Sequence, residues 1–95
     1  MIEYNVMHSV VLETFDSAAV YSSDRDWTKR GTTIRYNLAF DVGSPDASCN
    51  KYTSCCRHAF YFDALTMGLQ VYGNVAHMRP SARNATGFNY NHSYG

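Results

Sequence analysis

Regular alternation of apolar and polar side chains marks the stretch from Thr32 to Val42. Side chains on a β-strand point alternately to opposite faces, so this pattern predicts one strand with a buried and a solvated face. Three residues of the apolar set, Ile34, Leu38 and Phe40, are expected in the core. The predicted core face contains Thr32, Ile34, Tyr36, Leu38, Phe40 and Val42, and the other face contains Thr33, Arg35, Asn37, Ala39 and Asp41.

Two further stretches alternate in the same way. Residues 2–12 predict a first strand whose apolar face carries one polar side chain, His8. Residues 69–78 predict another strand, with Gly73 in its middle and Pro80 beyond its end. A glycine inside a strand indicates a bulge or a close backbone approach. No internal repeat is evident among these stretches.

The segment between the first two predicted strands has a weaker pattern. Residues 18–21 fit either a short strand or one helical turn capped by Asp16 or Ser17. Residues 22–31 read as a polar loop that ends at Gly31. Trp27, in the middle of this loop, is either a core side chain or an exposed contact.

A helix is one of two alternatives after the central stretch. Ser44, Pro45 and Asp46 form a good helix start, since they offer a cap, a proline at the first position and an acid at the positive end of the dipole. The helix would then run to about residue 67. The alternative, which we favour, is a short helix or turn near 45–53 and a strand over 57–63, because Phe60-Tyr61-Phe62 suits a strand.

The composition favours a mainly β protein, because aromatic residues reach 15%, with eight Tyr and five Phe. We expect a small antiparallel β-sandwich or partly closed barrel with at most one helix after Ser44. The alternative is an α+β fold, with one helix over about 45–67 packed on an antiparallel sheet. Residues 1–80 would form a single β-rich domain. Residues 81–95 would be a tail rich in Asn, Ser and Tyr without core periodicity.

The charge balance excludes some classes of partner. Charged residues make up 17% of the chain, their formal net charge is +0, and the eight Lys and Arg are scattered. Nucleic acids are therefore not expected as partners, since backbone binding needs clustered positive charge. The chain has no signal-peptide pattern and no long apolar run, so it predicts no membrane contact and a location in the cytoplasm or within a viral particle.

The three cysteines are candidates for a metal site or a reactive thiol. Cys49, Cys55 and Cys56 precede His58 with irregular spacing, whereas a zinc site needs four ligands that are usually grouped in close pairs. Structural thiols are the better interpretation. The sequence therefore predicts no metal site, no cofactor, no catalytic residue and no enzyme. A small thiol enzyme or metal-binding protein built on this segment is kept as an alternative.

Large aromatic side chains outside the predicted strands carry the functional prediction, because Tyr and Trp are enriched in protein interfaces. We expect a non-enzymatic structural or assembly subunit, for example of a virus or phage particle, whose tail packs on neighbouring subunits. Its partner is a protein, either itself in a homo-oligomer or a larger assembly. The alternative is a small phage-type inhibitor or adaptor that binds one host protein. The predicted interface residues are Trp27, Phe88, Tyr90 and Tyr94.

Overall fold

The described part of the chain contains nine short β-strands. The computed structural model describes residues 1–14, 16–23, 30–43, 57–64, 66–82 and 85–91. The strands are β1 (Ile2–Glu3), β2 (Val6–His8), β3 (Ser17–Ser23), β4 (Thr33–Arg35), β5 (Leu38–Val42), β6 (Arg57–Asp63), β7 (Gln70–Tyr72), β8 (Val75–Met78) and β9 (Ala85–Tyr90).

The strands assemble into three sheets of three parallel strands, in the orders β1-β4-β7, β2-β5-β8 and β3-β6-β9. Three consecutive strands therefore make one coil of the chain, and each coil pairs with the next along all three sheets. Coil 1 contains β1–β3, coil 2 contains β4–β6 and coil 3 contains β7–β9. In the described part of the chain, this arrangement is a parallel β-solenoid of three coils, with coil 2 paired to the coils on both sides.

The first two strands of each coil carry an internal repeat that sequence reasoning missed. Residues 2–8, 34–40 and 71–77 are Ile-Glu-Tyr-Asn-Val-Met-His, Ile-Arg-Tyr-Asn-Leu-Ala-Phe and Val-Tyr-Gly-Asn-Val-Ala-His. The strand registers align the three segments position by position. The copies are 32 and then 37 residues apart, so the repeat has no fixed period.

A left-handed residue turns the chain between the first two strands of every coil. The residue before each repeated asparagine has a positive φ, which is 55° at Tyr4, 54° at Tyr36 and 66° at Gly73. Gly73 also leaves room for a neighbouring side chain, since a Cβ there would lie 2.5 Å from Cδ1 of Tyr36. The sequence predicted a bulge or a close backbone approach at Gly73, whereas the group that comes close to it is the Tyr36 side chain.

This corner corrects the prediction of a single strand over 32–42. The stretch is two strands, β4 and β5, and the alternation restarts after Tyr36, which is 46% exposed. Of the predicted core face, Ile34 is buried as expected, but Leu38 and Phe40 are only half-buried. Ala39, which was assigned to the solvated face, is fully buried.

The prediction of a mainly β fold is confirmed, but its antiparallel sandwich or partly closed barrel is wrong because the strands pair in parallel. Alternation specifies which face of a strand is buried and not the direction of its partner. The α+β alternative with a helix over 45–67 is also wrong, since Arg57–Asp63 is β6, the strand we favoured. The predicted helix start after Ser44 lies outside the described residues.

The hydrophobic core is centred on coil 2, the coil that has a neighbour on both sides. Phe60 and Phe62 of β6 are fully buried, and Phe60 stacks on Phe88 with ring centroids 4.8 Å apart. The buried apolar cluster contains Val20, Ile34, Ala39, Val42, Ala59, Phe60 and Phe62. Coils 1 and 3 contribute mainly half-buried side chains to this core.

The predicted tail holds a strand of the solenoid. Residues 85–90 form β9, which pairs with β6 from Arg57↔Ala85 to Phe62↔Tyr90. The absence of core periodicity in this segment therefore did not imply the absence of an element. The division of the chain into a domain over 1–80 and a tail over 81–95 stays a prediction.

Candidate interaction surface at the two ends of the solenoid

A ladder of asparagines holds the first corner of the three coils together. The backbone N–H and Nδ2 of Asn5 donate to Oδ1 of Asn37 at 3.0 and 2.9 Å. The same two groups of Asn37 donate to Oδ1 of Asn74, again at 3.0 and 2.9 Å. Asn37 is 1% exposed. The ladder therefore gives the stack of coils a direction, because coil 1 donates to coil 2 and coil 2 donates to coil 3.

Charged side chains join the coils at the second corner, where the second strand of each coil ends. Arg79 donates to both carboxylate oxygens of Asp41, at 2.8 and 2.9 Å, and the Ser9 hydroxyl donates to Oδ2 at 2.9 Å. These hydrogen bonds, with that of Arg79 contributing most, lower the pKa of Asp41 to about 2. Asp41 has a φ of 54° and lies where the register between β5 and β8 shifts. It is a structural carboxylate at a bulge.

At the third corner, where the third strand of each coil ends, the carboxylate of Asp63 accepts hydrogen bonds from neighbouring segments. Partial burial raises the pKa of this carboxyl, but hydrogen bonds from Asn91, the Ala64 backbone and Tyr21 outweigh burial and lower it. The donors lie at 2.7 Å for Asn91 Nδ2, 2.7 Å for the Ala64 N–H and 3.1 Å for the Tyr21 hydroxyl. Asp63 therefore anchors a turn.

The imidazole of His58 is engaged within the third sheet. Its Nδ1 lies 2.6 Å from Oγ1 of Thr86, and its Nε2 lies 3.2 Å from Nδ2 of Asn89. Burial lowers the pKa of His58. Its hydrogen bonds link β6 to β9, so its position is explained by the stacking of coils 2 and 3.

An outward-facing row of tyrosines and charges follows the first sheet. Tyr4 stacks on Tyr36 at 5.4 Å, and Tyr72 meets the Tyr36 ring edge-on at 5.5 Å. Beside them, Arg35 donates to the Glu3 carboxylate at 2.6 Å and to the Tyr72 hydroxyl at 2.9 Å. The outward side chains of neighbouring coils are thus complementary in charge and hydrogen bonding.

Coil 1 leaves an apolar groove open at one end of the solenoid. Its volume is about 410 Å³. Val6 is 65% exposed and Ile2 is 38% exposed. The groove is lined by Ile2, Asn5, Val6, Met7, Ala19, Val20 and Tyr21.

Coil 3 leaves a second groove, of about 300 Å³, at the opposite end. Phe88 and Tyr90, both predicted as interface residues, line it and are 39% and 59% exposed. Val75, in the neighbouring sheet of the same coil, is 56% exposed. Trp27 and Tyr94, the other two predicted interface residues, lie outside the described residues. The remaining lining residues are Val71, Tyr72, Gly73 and Asn74.

The strands at both ends also have unpaired edges. Within the described ranges, β1, β2 and β3 pair only with coil 2, and so do β7, β8 and β9. Each end therefore presents backbone N–H and C=O groups beside an apolar groove. The sequence analysis did not identify Val6 and Val75 as surface residues. The Asn-containing repeat is the signal that would have placed them in the first and last coils, at opposite ends of the solenoid.

The structure describes only part of the segment that contains the cysteines and His58. Cys49, Cys55 and Cys56 lie outside them, so the prediction that they are structural thiols stays a prediction. Within the described ranges, no group of three or more His, Cys, Asp or Glu side chains is placed to hold a metal ion. No helix in that part of the chain is long and apolar enough to cross a membrane.

Comparison of the chain with protein-family models, with curated proteins and with solved structures finds no match. The candidate site therefore rests on the geometry of the coils alone.

Proposed function

We propose that this protein is a non-enzymatic structural subunit that assembles with further copies of itself through the ends of its solenoid. The observation that carries the proposal is the combination, at both ends, of an unpaired strand edge and an apolar groove. A second copy of the chain supplies both complements at once, since it offers strands for the edge and apolar side chains for the groove.

The unpaired edges support a β-strand as the partner. A row of free backbone N–H and C=O groups is a template for another strand, and soluble proteins usually protect such edges with charges, prolines or a covering segment. Repeat proteins likewise carry polar residues on their terminal repeats. Here the outward side chains at positions 6 and 75 of the two edge coils are both valine.

The charge distribution supports association with an identical chain. The formal net charge is +0, so two copies approach without overall repulsion. The ionised side chains Glu3, Arg35, Asp41 and Arg79 pair with each other between coils. Their use in holding coils together supports a structural role.

The wider setting stays a prediction from composition. A virus or phage particle is one assembly in which such a subunit would serve. Trp27 and Tyr94 also stay predicted contacts. The alternative is an inhibitor or adaptor that binds a host protein through the same edges. In the experiment below, that alternative predicts a chain that does not associate with itself.

Val75→Lys is expected to weaken self-association about tenfold or more while leaving the fold intact. Val75 is exposed at the coil 3 edge, and a lysine there would replace the apolar contact with Val6 of the next copy by a charge, as in edge strands that are protected against pairing. The association constant is measured by sedimentation velocity over a range of concentrations, and circular dichroism checks the fold.

Leu38→Lys is the matched control, because Leu38 occupies the same outward position in coil 2, between Val6 and Val75. The stem of this lysine would lie along Val6 and Val75, and its ammonium would reach solvent, away from both ends of the solenoid. We expect unchanged association for this variant. An unsubstituted chain that stays monomeric, or equal weakening by both lysines, would contradict assembly through the coil ends.

A further inference from the structure

We infer that the copies stack head to tail, with coil 3 of one chain pairing in parallel with coil 1 of the next, in the register of the internal repeat. The inference rests on the proposed self-assembly and specifies its geometry. It places Asn74 opposite Asn5 of the next copy, Val75 opposite Val6, and Phe88 opposite Val20.

The direction of the asparagine ladder favours unlike ends. At each step, an asparagine of one coil donates from its backbone N–H and Nδ2 to Oδ1 of the asparagine in the following coil. At the coil 3 end, the ladder therefore stops with the donor groups of Asn74. At the coil 1 end, it stops with the acceptor Oδ1 of Asn5. Among the described residues, no hydrogen bond reaches Oδ1 of Asn5. Joining coil 3 to coil 1 adds the missing step, whereas joining two coil 1 ends would oppose two acceptors.

Strand direction leads to the same arrangement. All three sheets are parallel, so a copy displaced along the stack continues each of them without reversing a strand. Two like ends related by a twofold axis would instead pair antiparallel. That pairing would lose the position-by-position match of the repeat.

In this register, the outward side chains of the first sheet in one copy are also complementary to those of the next copy. Within one chain, Glu3, Arg35 and Tyr72 occupy equivalent positions in coils 1, 2 and 3. The Tyr72 hydroxyl accepts a hydrogen bond from Arg35, which leaves its own hydrogen free to be donated. Head-to-tail stacking brings Glu3 of the next copy opposite Tyr72, where its carboxylate is a suitable acceptor.

Head-to-tail contacts generate open assemblies. Each copy uses one end for each neighbour, so both contacts are heterologous and growth continues unless a rotation closes a ring. Three coils at the usual parallel-strand spacing of about 4.8 Å add about 14 Å of length per copy. The product is a polar filament or ring of chains rather than a closed dimer.

A pair of cysteine substitutions, Val6→Cys and Val75→Cys, tests this register. In the head-to-tail stack, the Cα atom at position 75 lies about 4.8 Å from the Cα atom at position 6 of the next copy, within the range for a disulfide. Within one chain the two positions are two coils apart, about 10 Å, which is too far. Oxidised V6C/V75C is expected to form a ladder of disulfide-linked multimers, and peptide mass spectrometry should identify the 6–75 linkage beside any linkage of the native cysteines.

The single variants complete the test. A mixture of V6C and V75C is expected to give 6–75 dimers, and this mixture tests the register even if the double variant does not fold. Either single variant alone should give no 6–6 or 75–75 linkage. Association accompanied by 6–6 or 75–75 linkages would overturn the head-to-tail register and leave the proposed self-assembly standing. Chains that stay monomeric without any linkage at positions 6 or 75 would overturn both.

Discussion

Asn37→Ala is expected to lower the free energy of unfolding by more than about 3 kcal/mol. The substitution removes the middle member of the asparagine ladder, and unsatisfied buried polar groups cost about 1–3 kcal/mol each. The groups that lose their partner include the backbone N–H of Asn5 and the carbonyl of Ile2, which Asn37 contacts at 3.0 and 3.1 Å. They also include the carbonyl of Arg35. Oδ1 of Asn74 keeps one donor, the backbone N–H of residue 37. Urea denaturation, with the slope compared between variants, measures the loss.

Asn5→Ala is the matched control for this prediction. Asn5 is exposed at the end of the ladder, and its backbone N–H still donates to Asn37 after the substitution. We expect its loss to be under about 1 kcal/mol, as for most exposed positions. Losses of similar size at the two positions would contradict a ladder centred on coil 2.

Phe60→Ala is expected to destabilise the protein by about 3–5 kcal/mol, because it opens a cavity in the core. The side chain is 0% exposed, and its ring stacks on Phe88 of the next coil. Phe40→Ala makes the same chemical change outside the core. Phe40 is half-buried and stacks on His8 at 5.2 Å on the outer surface, so we expect a loss under about 2 kcal/mol.

The order of these two losses distinguishes the structure from the sequence prediction. A single strand over 32–42 would place Phe40 in the core, whereas the corner at Tyr36 moves it to the outer face. Denaturant melts of both variants measure the difference. A larger loss for Phe40→Ala than for Phe60→Ala would support the single strand and contradict two strands joined at Asn37.

The positions of several strands were predictable because their side chains alternate or are rich in aromatics. The strand over 57–63 was predicted with the bounds that the structure shows. The pairing was not predictable from alternation, which is the same for parallel and antiparallel neighbours. The strand partners lie one coil away, and in the first two sheets their spacing changes from 32 to 37 residues. This change obscured the repeat, together with the replacement of tyrosine by glycine at position 73.

The candidate surface was partly predictable. Phe88 and Tyr90 were expected to be contacts because of their size, and the structure places both at the coil 3 end. Val6 and Val75 were instead assigned to buried strand faces. The chain turns at Tyr4 and at Gly73, and each turn changes which of the following side chains face outward. Positive φ at a tyrosine is uncommon, so the residue types around the first corner did not indicate a turn there.

Proton–proton contacts in the nuclear magnetic resonance spectrum of the labelled protein test the stacking of coils most directly. Parallel stacking predicts contacts from Leu38 to both Val6 and Val75, from Ala39 to Met7 and Ala76, and from Phe40 to His8 and His77. The partners advance along the chain in the same direction as residues 38–40. Contacts that run in the opposite direction, or that join β5 to only one of its two neighbours in the solenoid, would contradict the three-coil parallel solenoid and its open ends.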